Sequence, residues 1–106
     1  PSDPNNVEIE DRIRYELEKP TGELTKADLE KVTKLFLYYN QETDVKDLEK
    51  LTQLEWLDLR NNKLTSVKGL EKLTQLKNLW LKDNSDLTKA QIAELQKALP
   101  KCDIIR

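Results

Sequence analysis

The chain has 106 residues, enough for one small domain. Charged residues make up 36% of it, with both signs mixed and a net charge of −2, so no block of like charge marks a nucleic-acid partner or a membrane surface. No apolar run approaches the roughly 18 residues needed to span a bilayer. His is absent, which removes the usual general base and an ordinary zinc site, and the single Cys102 has no partner for an internal disulfide.

The polar, acidic start PSDPNNVEIE is not expected to be a signal peptide, and a chain without an initiating Met is expected to be a processed, excised or trimmed segment, which a secreted protein could also supply. The stretch SDPNNVEIEDRIRYELEKPTG predicts a helix. Asp3 is its expected cap and Pro4 its first helical residue. Ile9, Ile13 and Leu17 form its apolar stripe, and Pro20 and Gly22 are expected to stop it. A short second turn follows, with Thr25 and Asp28 spaced as a capping box.

A repeat then begins. Residues 32–53, VTKLFLYYNQETDVKDLEKLTQ, align without a gap on residues 54–75, LEWLDLRNNKLTSVKGLEKLTQ. A spacing of 22 relates Asn40, Asn62 and Asn84, and likewise Leu35, Leu57 and Leu79, Leu37, Leu59 and Leu81, and Leu51, Leu73 and Leu95. The unit L-x-x-L-x-L-x-x-N predicts a short strand whose paired Leu face one side of a parallel sheet. The Asn is expected to turn the chain and to bond backbone groups left open between coils. The return segments VKDLEKLTQ and VKGLEKLTQ place Val45, Leu48 and Leu51, then Val67, Leu70 and Leu73, at the spacing of a helical or 3₁₀ turn. At the back, Thr88 and Gln91 repeat the capping-box spacing. Ile92, Leu95 and Leu99 then share a helix face, Pro100 ends it, and CDII predicts a last strand.

These features resemble the bacterial internalin-like class of leucine-rich-repeat proteins with 22-residue repeats. DPNNVEIEDRIRYELEKPTGELTKADLEKVTKL is similar to the helical cap that precedes repeats in that class, and LTKAQIAELQKALPKC closes the chain. The resemblance implies an α/β fold: a short leucine-rich-repeat solenoid with a parallel sheet on its concave face and helical caps at both ends. The chain divides into an N-terminal cap at 1–31, repeats at 32–53, 54–75 and 76–86, and a C-terminal cap at 87–106. It also implies binding of protein ligands on the concave sheet, often by secreted or surface proteins. The chain departs from the pattern at Glu42, an acid where Leu64 stands one repeat later; at Asp47, where the next repeat has Gly69; and at Ser85-Asp86-Leu87, which shifts the apolar residue by one. Glu42 is read as an edge residue beside the N-terminal cap. The near-identity of the return segments fits either recent duplication or a designed, consensus-engineered repeat.

If the paired Leu face the core, their neighbours face the opposite side. That side receives Lys34, Phe36 and Tyr38 from the first strand, Trp56, Asp58 and Arg60 from the second, and Asn78, Trp80 and Lys82 from the third, with Tyr39 at its edge. The only Phe, both Trp and two of three Tyr thus gather on a surface that folding does not require to be apolar. Grouped aromatics rimmed by charge are the composition of an interaction site. Phe36, Trp56 and Trp80 are the candidate apolar anchors for a protein or peptide. Tyr38 and Tyr39 would add amphipathic contact, and Lys34, Asp58, Arg60 and Lys82 would set polarity and register. Three other readings use the same residues: cross-strand ring pairs that only stabilise the sheet, self-association through this face, and a structural or engineered scaffold with no ligand of its own.

No catalytic or cofactor motif emerges. Asp83, Ser85 and Glu94 fall at calcium-loop offsets, but Leu87 stands where an oxygen ligand is needed and Thr88 where the turn needs Gly. With two Gly in all there is no phosphate-cradling loop. A non-enzymatic chain without cofactor, nucleic-acid partner or membrane span is expected.

Overall fold

The computed structural model describes residues 9–38 and 44–106. Asp3, Pro4, Tyr39, Asn40 and Glu42 lie outside the described residues. The elements follow in the order α1 (Ile9–Leu17), α2 (Lys26–Leu29), β1 (Lys34–Phe36), a 3₁₀ turn (Lys46–Leu48), β2 (Trp56–Asp58), a second 3₁₀ turn (Leu70–Lys72), β3 (Asn78–Trp80), α3 (Lys89–Ala98) and β4 (Asp103–Ile105).

The strands form one parallel sheet in the order β1-β2-β3-β4. Leu35, Leu57, Leu79 and Ile104 share one register position, so the leucines one repeat apart stack in the sheet. They point inward with Leu37, Leu59 and Leu81, and the return turns bring Leu48, Leu51, Leu70 and Leu73 against them, all buried. Each coil is too short to enclose a core of its own. Stacking coils makes the apolar column continuous, which is why the period in the sequence dictates a solenoid.

At the front, Ile9 and Ile13 are buried and Leu17 packs on the core, as the stripe predicts. The helix stops earlier than Pro20 and Gly22 suggest. Glu18 takes a left-handed conformation, φ 53°, its N–H donates to Tyr15 O, and the Lys19 N–H donates to Arg14 O at 3.0 Å. This is the Schellman arrangement with Glu where Gly is usual, so the last carbonyls of α1 are satisfied before proline is reached. Both capping boxes form: Thr25 with Asp28 ahead of α2, and Thr88 with Gln91 ahead of α3. Lys19 Nζ also lies 2.7 Å from Asp28, tying α2 to the end of α1.

The asparagines divide their expected task with their neighbours. The left-handed residues after the strands are Asn61 and Asp83, each one position before the repeat Asn. Asn62 and Asn84 themselves are buried and bond the coils together. Asn62 Nδ2 donates to Leu37 O and to Leu59 O, both at 2.9 Å. Asn84 Nδ2 donates to Leu59 O at 2.8 Å and Leu81 O at 2.9 Å, and its Oδ1 accepts from the Leu64 N–H.

The near-identical return segments fold differently. Asp47 lies within the turn Lys46–Leu48, whereas Gly69, at the same place one repeat later, has φ 111° and precedes a turn that starts further along. Gly69 also meets a close approach. A Cβ on Gly69 would lie 2.6 Å from Glu49 Oε1, so the Glu49 side chain of the preceding coil occupies the space that Gly leaves.

Candidate binding face on the parallel sheet

The face opposite the core is built by the period-2 alternation of each strand. One column runs Lys34, Trp56, Asn78, Asp103, and the next runs Phe36, Asp58, Trp80, Ile105. Tyr38, Arg60 and Lys82 follow each strand at equivalent repeat positions. Phe36, Tyr38 and Trp56 are 38%, 45% and 37% exposed, and Trp80 is half-buried. Lys34, Arg60 and Lys82 are exposed. The register brings the candidate residues of the three strands onto one surface, except Tyr39, which lies outside the described residues.

Two of the rings already carry a cation. Lys34 Nζ stands 4.4 Å from the centre of the Trp56 ring, and the Arg60 guanidinium carbon stands 5.8 Å from that of Tyr38. Such contacts contribute about 0.5–1 kcal/mol at exposed sites. They hold two long side chains along the sheet instead of leaving them free in solvent.

Asp58 corrects the reading of the face. The sequence places it among the exposed residues that set polarity and register, but it is buried, with 3% of its surface exposed. Its register neighbours are the rings of Phe36 and Trp80. Its carboxylate turns along its own strand and accepts from the Arg60 backbone N–H at 3.1 Å, from Nε at 3.0 and 3.1 Å, and from Nη2 at 2.7 Å. A carboxylate so surrounded by donors is satisfied without water. Asp58 therefore fixes Arg60, and the group it presents to the surface is the guanidinium.

Ile105 and Asp103 were not counted onto this face from the sequence, yet the ladder sets Ile105 beside Trp80 and Asp103 beside Asn78. Repeat arithmetic fails there because α3 replaces a shorter return segment. The step from Trp80 to Ile105 is 25 residues, where Asp58 to Trp80 is 22. The alternation within CDII is the signal that would have found them.

Residues 52–97 match the family model for leucine-rich repeats in two copies. This chain folds as an internalin-like leucine-rich-repeat solenoid. It is similar to an internalin of Listeria monocytogenes at TM-score 0.61 and 24% identity, over 89% of this chain and 34% of that one. It is similar to internalin C2 of the same organism at TM-score 0.59 and 18% identity, over 92% of this chain and 52% of that one. A leucine-rich-repeat protein of Leptospira interrogans matches at TM-score 0.51 and 27% identity, over 81% of this chain and 28% of that one. No curated protein matches the sequence. The solenoid thus spans from about a quarter to about half the length of these structures. Its fold is commonly that of a protein-interaction module.

Away from the sheet face, Tyr15 is 72% exposed on α1 of the solenoid, beside Asp11, Glu16 and Glu18. A groove of about 520 Å³ lies between the second return segment and α3, lined by Val67, Glu71, Gln91, Glu94 and others. Among the described residues no group of three or more His, Cys, Asp or Glu could hold a metal ion, and no helix is long and apolar enough to cross a membrane.

Proposed function

We propose that this solenoid is a protein- or peptide-binding module whose ligand lies across the sheet face. The observation that carries the reading is the exposure of Phe36, Tyr38 and Trp56 on one side of a sheet whose other side buries every strand leucine. Folding alone requires apolar residues only on the inner side, so a ring cluster on the outer side has a use beyond the core. Phe36, Trp56 and Trp80 act as anchors, with Ile105 extending the apolar strip and Tyr38 and Tyr39 adding contact at its edge. Arg60, held by Asp58, and the flanking Lys34 and Lys82 supply donors to a ligand. A rigidly held guanidinium loses less freedom on binding than a loose one, which favours affinity. The unit that binds is the whole domain, with caps at 1–31 and 87–106 enclosing repeats at 32–53, 54–75 and 76–86.

The contacts of Lys34 on Trp56 and Arg60 on Tyr38 favour a second reading. On that reading the face satisfies itself and the chain is a structural or engineered scaffold without a ligand. One pair of measurements separates the two. Peptides displayed on phage are selected against the parent protein, with the variant Phe36→Ala, Trp56→Ala, Trp80→Ala as counter-target, while thermal unfolding and sedimentation compare the two proteins. Binding predicts peptides retained by the parent and lost on a folded, monomeric variant. Selection that fails, together with a large loss of stability in the variant or a dimer of the parent that the variant abolishes, would leave the rings serving the fold or self-association.

A further inference from the structure

The exposed side of the sheet is unevenly charged along its strands. The ladder runs on beyond β2 and β3, where the Asn61 N–H donates to Lys82 O just as the Leu59 N–H donates to Trp80 O, both at 2.9 Å. Arg60 and Lys82 therefore stand opposite each other on neighbouring coils, with backbones about 4.8 Å apart. Like charges so placed repel across a sheet. Arg60 is neutralised by the buried Asp58. Lys82 is exposed and, among the described residues, pairs with no acid, not even the adjacent Asp83. The exposed Asp103 lies in the opposite outer column, with Lys34, Trp56 and Asn78. One long edge of the ring cluster thus carries adjacent cations. The central column of Phe36, Asp58 and Trp80 lies two residues back along the strands, about 7 Å away.

We propose that the ligand of this face is an acidic peptide segment. Its carboxylates lie over the edge formed by Arg60 and Lys82, and its neighbouring aromatic or aliphatic side chains cover Phe36 and Trp80. The inference deepens the binding reading above and rests on it. The sheet gains nothing by setting Lys82 beside Arg60, whereas a carboxylate placed between them is attracted by both. Arg60, fixed by Asp58, orients the acid, and Lys82 supplies the charge that nothing in its own column offsets.

The test carries the phage selection one step further. Peptides retained by the parent and lost on the variant Phe36→Ala, Trp56→Ala, Trp80→Ala are synthesised, and synthesised again with every Asp and Glu changed to Asn and Gln. Both forms are titrated against the parent, against Lys82→Glu, and against Lys68→Glu, which makes the same charge change at an exposed residue of the second return segment. An excess of Asp and Glu is expected among the selected peptides. The amide forms on the parent, and the acidic forms on Lys82→Glu, should each bind at least tenfold more weakly, while Lys68→Glu should stay within twofold of the parent. Lys82→Glu should also melt no lower than the parent, because it gives Arg60 a neighbour of opposite charge. Peptides that need the rings but carry no acidic excess, or that bind Lys82→Glu undiminished, would overturn this inference and leave the binding reading standing. An equal loss on Lys68→Glu would overturn it as general charge attraction, and so would a Lys82→Glu protein that melts well below the parent. Selection of no peptide would sink the binding reading and this inference with it. A parent that sediments as a dimer through these rings would give the face to a second copy and overturn the inference as well.

Discussion

Asp58 at the end of β2 and Arg60 two residues beyond it form a closed fork in which the guanidinium Nη2 lies 2.7 Å from a carboxylate oxygen that is almost wholly buried. The two partners are not equivalent, because the Arg60 side chain remains 46% exposed while that of Asp58 is 4% exposed. Removing the cation strands a buried anion, whereas removing the acid releases a cation that water can reach. Arg60→Ala is therefore expected to destabilise by about 2–3 kcal/mol and Asp58→Asn by about 1 kcal/mol. Urea unfolding of the two variants checks the order, and the reverse order would mean that the carboxylate is solvated.

Asn62 serves buried carbonyls in two coils at once. Asn62→Ala leaves them without their side-chain donor and opens a small void, at about 2–4 kcal/mol in chemical denaturation. Asn62→Asp should be at least as damaging, since it exchanges the amide donor for an acceptor beside carbonyl oxygens. A loss below about 0.5 kcal/mol in the alanine variant would show that the bonds to Leu37 and Leu59 contribute little.

Gly69 combines a left-handed backbone with the Glu49 side chain pressed against it. Gly69→Ala should lose about 1–2 kcal/mol, part from the backbone and part from the contact. Adding Glu49→Ala should return the contact part only, although it also removes the 3.3 Å ion pair with Lys72. A double-mutant cycle on thermal unfolding reads the coupling. Independent effects of the two changes would show that the side chain moves aside freely.

The pH dependence has two limbs. Burial, followed by the nearby charge of Asp103, pushes the Cys102 thiol up to about 11. An unfolded thiol ionises near pH 8.5, so between these values the unfolded chain binds fewer protons and stability falls as pH rises. At the other limb the Lys19 ammonium, then the Thr25 backbone N–H, hold Asp28 well below the usual carboxylate range. The unfolded chain then takes up a proton near pH 4 that the folded chain refuses, so the contribution of Asp28 is present above that pH and is lost as pH falls. Urea midpoints across pH 2–11 should flatten at the alkaline limb in Cys102→Ala and at the acid limb in Asp28→Asn. Rapid alkylation of native Cys102 at pH 8 would contradict the first limb.

The sequence made the solenoid legible because each coil must bury the same side chains in the same place, and Leu35, Leu57 and Leu79 record that demand at a fixed spacing. The sided placement of Phe36, Trp56 and Trp80 followed from the same alternation. What escaped depends on contacts between residues that no period links. Glu18 ends α1 because its left-handed backbone lets its own N–H and that of Lys19 close on Tyr15 O and Arg14 O, although composition points to Pro20 and Gly22. Asp58 is buried because rings flank it and Arg60 folds back on it, which no pattern in the strand announces. Gly69 and Asp47 occupy the same repeat position, yet Gly69 is left-handed with the Glu49 side chain against it and its N–H bonded to Glu71, contacts that the repeat does not announce.

The Leu59 carbonyl accepts from both Asn62 and Asn84, and the Leu64 N–H donates to Asn84 of the next coil. No coil can therefore come apart without exposing unpaired groups in its neighbour. In a stack that touches only nearest neighbours, such shared bonds enlarge the cost of a boundary between ordered and melted coils. A chain with so few coils then gains nothing by melting from one end, and fraying gives way to all-or-none unfolding.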